Sequence, residues 1–204
     1  VRILADQYTN DYQRAELQGD VLVPTGTSAR KWGAVQLAVQ HLGHVPGRPF
    51  LFADFGCSYG LFSLLLWHHY GAMGDMVTLG RLDVPACQRV EEYTHAAVRF
   101  VRADAMDVVG TYDLTLYLSL VHHLLAHGHR PERIAETIRK QTRSAALVEL
   151  PTAVDHLADK KLPGESRRLV EQLRAELCAR MTLLATLTLT YSQTLVRDCL
   201  VLQC

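Results

Sequence analysis

From residue 50 onward, short apolar runs alternate with amphipathic stretches, and glycine, proline or polar clusters separate one from the next. Residues 50–54 predict a buried strand, and the apolar run that follows the next turn predicts a helix to about Tyr70. Residues 76–82 read as a second strand and 85–95 as its helix, with Pro85 in the first turn. Residues 98–102 alternate into a third strand leading to Asp104, 112–119 make a fourth, 131–143 a helix, and 145–150 a fifth strand stopped by Pro151. Strands and helices alternating at this spacing specify βαβ units and a parallel sheet. The tail changes character: a polar helix over about 165–179 precedes two β-rich runs, 182–190 and 195–203, close enough for an antiparallel hairpin.

The first 45 residues show no clear strand alternation. Residues 20–28 form a short extended piece with a turn, and Ser28 is expected to cap a helix over 29–42 whose apolar face includes Trp32, Val35 and Val39. The chain therefore divides into an N-terminal helical lid, 1–45, and a main domain, 46–204, that folds as one unit.

Composition narrows the function classes. A chain of 204 residues supports one domain with its own core. Basic and acidic residues balance at 21 each, so nothing calls for a free-standing nucleic-acid binder. Two basic groups, one from Arg130 to Arg143 and one comprising Lys160, Lys161, Arg167 and Arg168, read as solvated helix faces. Five scattered cysteines without a Cys-x-x-Cys pair argue against a zinc ribbon or disulfide framework, and for a reducing, cytoplasmic setting. The longest apolar run is too short to span a bilayer, so no membrane partner is expected.

The candidate chemistry begins at Asp54-Phe-Gly-Cys-Ser-Tyr-Gly60, between the first strand and its helix. Glycines there let a ligand approach the backbone, and an acid at a strand end accepts hydrogen bonds from hydroxyls or an amine. Cys57 and Ser58 occupy the place of the middle glycine of a dinucleotide fingerprint, and no Gly-Lys-Ser/Thr follows. What remains suits a nucleotide-like ligand without phosphates.

These residues resemble the first motif of class I S-adenosylmethionine-dependent methyltransferases, usually Asp-x-Gly-Cys-Gly-x-Gly, with Ser58 in place of a glycine. The resemblance covers about residues 50–204. It implies an α/β fold: a three-layer Rossmann-like sandwich with a mostly parallel seven-stranded sheet and a C-terminal antiparallel hairpin. It also implies S-adenosylmethionine as cofactor, held by Asp54, Gly56, Cys57, Ser58, Tyr59 and Gly60. Asp83, about twenty residues on, would accept the ribose hydroxyls, although Gly80 stands three rather than two residues before it. Either the second strand runs one residue long or Arg81 intrudes on the ribose. Asp104 and Ala105 would read the adenine, and Leu118 and Ser119 would complete the cofactor site.

Tyr117-Leu-Ser-Leu-Val-His-His-Leu124 resembles the segment that carries a His-His pair beside the transferred methyl. His122 or His123 could act as the base, or one of them could pack and hold the loop. Arg30 and Trp32 resemble an arginine–tryptophan pair that, in some members, lies on a helix before the first motif and covers the cofactor; they are candidate substrate-binding residues, with Tyr8, Tyr12 and Gln13 lining the same lid. The acceptor would be a small molecule or glycan, with an RNA end also within the family's range, entering between the lid, the histidine loop and the segment after Pro151. His123 and His127 stand four apart, but no Glu lies beside His123 as in His-Glu-x-x-His, so no metal is expected. Ser58 and the Gly80 spacing also fit a module that keeps the fold and has lost catalysis.

Overall fold

The computed structural model describes residues 2–9, 13–19, 21–81, 83–152, 166–192 and 195–204. A short 3-10 helix (Arg2–Tyr8) and a hairpin of β1 (Ala15–Gln18) and β2 (Val21–Pro24) precede α1 (Gly26–His41). The hairpin is an addition to the helical lid expected from sequence. Helix α1 also starts earlier than expected, with Thr25 at its N-cap position. Ser28 is buried within the first turn and uses its hydroxyl to accept the Arg14 N–H at 2.8 Å, tying the helix to the preceding segment instead of capping it.

The main sheet then follows the expected alternation: β3 (Leu51–Phe55), α2 (Leu61–Tyr70), β4 (Met73–Val77), α3 (Val84–Tyr93), β5 (Val98–Val101) and β6 (Tyr112–Tyr117). A six-residue helix α4 (Val121–Ala126), α5 (Pro131–Gln141), β7 (Thr142–Pro151), α6 (Ser166–Arg180), β8 (Thr182–Ser192) and β9 (Leu195–Gln203) complete it. Strand order is β5-β4-β3-β6-β7-β9-β8, parallel except for β9, which runs antiparallel to both neighbours. The α/β sandwich with its C-terminal hairpin is thus the one expected.

Strand alternation builds two cores. Phe52, Leu114, Leu116, Ala145 and Leu147 face one side, where α1, α2 and α3 add Val35, Leu65 and Val90. Ala53, Phe55, Tyr117, Ala146 and Val148 face the other, where α5 and α6 add Ile134, Ile138 and Leu173. Strands buried on both faces explain why their sequences are continuously apolar. Leu4, Tyr8 and Trp32 belong to the first core, so the N-terminal segment is packed into the domain. Among the described residues, no helix is long and apolar enough to cross a membrane.

Candidate functional site

A cleft of about 490 Å³ opens across the carboxyl ends of β3, β4, β5 and β6. Here the strand order switches direction about β3, which is where open α/β sheets take their ligands. The volume lies within the roughly 300–1,000 Å³ of small-molecule sites.

The turn after β3 supplies Gly56 and Ser58 to this cleft. Its backbone is left-handed at Gly56, Ser58 and Gly60, with φ of 74°, 50° and 76°. For serine that conformation costs about 1 kcal/mol or more, and the surroundings hold it in place. Cys87 Sγ donates to the Ser58 carbonyl at 3.0 Å, and Cys57 Sγ lies 3.7 Å from the same oxygen. Ser58 therefore keeps the backbone shape that glycine would adopt. The N-terminal segment braces the turn from outside. Gln13 donates Nε2–H to the Cys57 carbonyl at 2.8 Å and accepts the Leu61 N–H at 3.1 Å, while the Tyr8 hydroxyl donates to the Tyr59 carbonyl at 3.2 Å. The Leu61 N–H belongs to the first turn of α2, where a phosphate would otherwise bind.

The other turn residues lie behind the cleft surface. Asp54 is buried, accepts from Ser63 Oγ at 2.9 Å and does not line the cleft. Burial pushes its carboxyl pKa up to about 6, against the Ser63 hydrogen bond and the Lys31 charge. Cys57 and Leu118 are buried as well, and Tyr59 packs against the first core.

At the next strand end, β4 stops at Val77, earlier than the sequence suggested, so Gly80 belongs to the loop and Arg81 is exposed. Thr78 Oγ1 accepts the Gly80 N–H at 3.1 Å and donates to Asp83 Oδ2 at 3.5 Å. The Asp83 carboxylate lies directly against Gly80, where a Cβ would sit 3.2 Å from its Cγ and closer still to Oδ2. The unusual three-residue spacing thus places a glycine where the acid needs room. Burial raises the Asp83 pKa, and the Thr78 bond opposes it.

Asp104 and Ala105 line the cleft after β5, and Asp104 Oδ1 accepts the Met106 N–H at 2.8 Å. Gln141, buried at the end of α5, donates to the Ala105 and Val108 carbonyls, both at 2.9 Å, and so fixes this loop. After β6 come Ser119, with φ 54°, then Leu120 and α4, which presents His123 and Leu124 to the cleft, with His127 just past its end.

The histidine pair separates in space. His123 is exposed and lines the cleft; His122 does not, although their ring centroids lie 4.1 Å apart. His122 Nδ1 is buried without a hydrogen-bond partner. Burial, followed by the charges of Arg197, His123 and Lys31, outweighs Glu149 and pushes its pKa down to about 3.

Arg30 is exposed, and Trp32 lines a separate groove of about 210 Å³ with residues 21–24, Ala29 and His69. Neither lines the cleft. Lys31, between them, instead reaches Ser119 Oγ at 2.6 Å. Tyr12 and residues 153–165, which include the segment expected to flank the acceptor, lie outside the described residues. Among the described residues, no group of three or more His, Cys, Asp or Glu is placed to hold a metal ion.

Several solved structures share this architecture. WbdD, a bifunctional kinase-methyltransferase, superposes with a TM-score of 0.65 at 22% identity over 84% of this chain. The 1,6-didemethyltoxoflavin-N1-methyltransferase of Burkholderia thailandensis, with S-adenosylhomocysteine bound, does so with a TM-score of 0.62 at 19% identity, over 84% of this chain and 76% of that one. The N-methyltransferase NodS of Bradyrhizobium japonicum gives 0.62 at 12% identity, over 85% and 95%. The fold is the methyltransferase fold. The chain spans 39% of the length of the WbdD structure that it matches. No family model and no curated protein matches the sequence.

Within this methyltransferase fold, sequence reasoning overlooked Lys31, Gln141, Glu149, Tyr191 and Arg197. Glu149 did carry a signal, as a lone carboxylate inside the apolar run 145–150. Such an acid on a doubly buried strand has to find partners.

Proposed function

We propose that the chain binds S-adenosylmethionine in this cleft and directs methyl transfer to a small-molecule or glycan acceptor. One observation carries the reading: the Gly56 and Ser58 turn, Asp83, Asp104, Ser119 and His123, drawn from four successive strand ends, line a single cleft. The residues fit that cofactor. Asp83, half-buried and kept clear by Gly80, suits a pair of hydroxyls, and Asp104 suits an amine on a flat ring. Gln13 occupies a backbone N–H that a dinucleotide phosphate would use, which favours a ligand without phosphates. S-adenosylmethionine would supply an electrophilic methyl group on a sulfonium centre.

The protein's part is to align the acceptor, exclude water and take up a proton where the acceptor carries one. His123 is the candidate base because its imidazole faces the cleft. His122, with a pKa near 3, is too weak a base near neutrality and serves as packing. Asp54, Cys57, Tyr59, Gly60 and Leu118 would shape the cofactor turn and the adjoining strand end from behind. A small acceptor agrees with the cleft volume and with balanced charge. On α5 and just after it, Lys140 pairs with Glu136 at 3.2 Å and Arg143 with Asp113 at 2.6 Å, which offsets part of the basic group there and favours the small acceptor over RNA. Ser58 and Gly80, the two departures that favoured an inactive module, both sit in workable geometry, which supports retained binding.

Titration calorimetry with S-adenosylhomocysteine tests the cofactor, and absence of saturable binding at millimolar ligand sinks the reading. A screen of small acceptors for S-adenosylhomocysteine release tests the reaction. In it, His123→Ala should lower turnover by about 10²-fold or more with cofactor affinity unchanged.

A further inference from the structure

Directly beneath Ser119 lies a buried ionic cluster assembled from four elements. Lys31 comes from α1, Glu149 from β7, Tyr191 from β8 and Arg197 from β9. The Lys31, Glu149 and Arg197 side chains are 5%, 0% and 4% exposed. Lys31 Nζ donates to Ser119 Oγ at 2.6 Å and lies 3.2 Å from Glu149 Oε2. Arg197 Nη1 donates to Ser119 Oγ at 2.7 Å and lies 3.4 Å from Glu149 Oε1, which also accepts from the Tyr191 hydroxyl at 2.5 Å. Glu149 Oε2 in turn accepts both the Ser119 N–H at 2.7 Å and the Ser119 Oγ–H at 2.9 Å.

A serine hydroxyl offers one proton and two lone pairs, and all three are used here. Ser119 is also one of four described non-glycine residues with positive φ. Such a conformation persists only where its surroundings over-determine it. Four hydrogen bonds to charged groups do so here. Stability alone does not account for the cluster, because well-packed apolar residues commonly serve at least as well as buried ions. Its position suggests another purpose. Ser119 and Leu120 line the cleft, and Leu120 packs against the turn so closely that a Cβ on Gly56 would lie 3.2 Å from it. The loop held by the cluster and the turn held by Gln13 and Cys87 therefore form adjoining walls of one site.

We propose that Lys31, Glu149 and Arg197 are positioning residues that clamp the loop between β6 and α4, setting the shape of the cleft wall formed by Ser119, Leu120 and His123. The clamp couples the N-terminal helix and the C-terminal hairpin to a site that neither enters. Its consequence for ligand affinity rests on the cofactor reading above.

The test removes all three charges together, since losing one alone strands the others. Lys31→Met, Glu149→Leu and Arg197→Met are combined, and melting temperature, S-adenosylhomocysteine affinity and backbone hydrogen exchange over residues 117–124 are measured. The expected result is a melting temperature within a few degrees of the parent, affinity at least 10-fold weaker, and exchange in 117–124 faster by 10-fold or more while the central strands stay protected. Affinity within twofold of the parent overturns the proposal, as does unchanged exchange over 117–124. If the parent chain itself binds no S-adenosylhomocysteine, the cofactor reading fails and the exchange comparison alone decides the clamp. If the triple variant does not fold, Ser119→Ala decides instead. That substitution removes the three bonds of the hydroxyl, so faster exchange in the loop supports the clamp and unchanged exchange overturns it.

Discussion

Gly80→Ala offers a demanding test of the cofactor site, because it separates stability from binding. The backbone at Gly80 lies outside the left-handed region, so alanine meets no conformational penalty there. Replacing glycine at such a position raises stability by about 0.4–1 kcal/mol, through lost freedom of the unfolded chain. The obstacle is local. The new Cβ would stand 3.2 Å from Asp83 Cγ and 3.3 Å from Thr78 Oγ1, and well inside contact with Asp83 Oδ2. Restoring ordinary contact pushes the carboxylate away by about 1 Å. That breaks the weak Thr78 bond and spoils any hydrogen bond the carboxylate makes to a ligand hydroxyl. A hydrogen bond to a charged group contributes roughly 1.5–3 kcal/mol. Losing one weakens affinity by about 30-fold.

Calorimetry with S-adenosylhomocysteine across a double-mutant cycle measures this. Gly80→Ala should weaken binding about 30-fold while the melting temperature holds or rises. Asp83→Ala should weaken it by a similar or larger factor. The double variant should bind like Asp83→Ala alone, because the alanine at 80 acts only by displacing the carboxylate. Affinity within twofold of the parent in Gly80→Ala, or factors that multiply in the double variant, refutes the placement of Asp83 at the ligand.

Asp104→Asn should weaken S-adenosylhomocysteine binding by about 10- to 100-fold in the same assay, and unchanged affinity removes Asp104 from the adenine site. Asp54 has a folded-state pKa of about 6 against 3.8 for an ordinary aspartate, so folding takes up a proton and the resulting stabilisation, full below pH 3.8, is lost as pH rises through 6. From pH 4 to 7 the parent should therefore lose up to about 3 kcal/mol relative to Asp54→Asn in urea melts, whereas parallel curves would refute the assignment. Glu149 behaves oppositely: burial alone would raise its pKa, but Lys31 and Arg197, with bonds from Tyr191 and Ser119, hold it near 2. Its contribution is present above the ordinary range near 4.5 and lost as pH falls toward 2. Glu149→Ala should cost about 3–5 kcal/mol by stranding two buried cations, and a melting temperature lowered by less than 5 °C would contradict that picture.

Legibility followed the range of the interactions. The strand ends were readable because each apolar run closes on an acid or glycine within a few residues, and βαβ topology then brings Gly56, Asp83 and Asp104 to one edge. Errors arose where local pattern and long-range pairing compete. Ser28 has a capping residue type before an apolar helix, yet its hydroxyl serves the Arg14 N–H across 14 residues. The second strand reads as 76–82 in the sequence but runs Met73–Val77, because Thr78 turns the chain toward Asp83. His68 and His69 stand in the last turn of α2, where the helix dipole favours a cation, yet burial, followed by the charge of His68, lowers the His69 pKa and favours its neutral form. His122 and His123 are adjacent and chemically identical in sequence, and only the phase of α4 against the sheet separates the half-buried one from the one in the cleft.

The same distinction explains why a cofactor is easier to infer here than an acceptor. The proposed cofactor side is built from turns: backbone φ at Gly56, Ser58 and Gly60, a glycine beneath an acid, and an aspartate bonded to its own loop two residues on. Each device is encoded within a few residues. The adjoining wall is held by side chains that meet across the chain, Lys31 with Ser119 over 88 residues and Arg197 with Ser119 over 78. Substitutions in α1 or β9 can therefore reshape that wall without touching the turn motif, and the sequence around Asp54 to Gly60 carries no trace of such a change. If the clamp controls His123 as the geometry implies, acceptor preference in this chain should vary with residues 31, 149 and 197 before it varies with any residue of the turn.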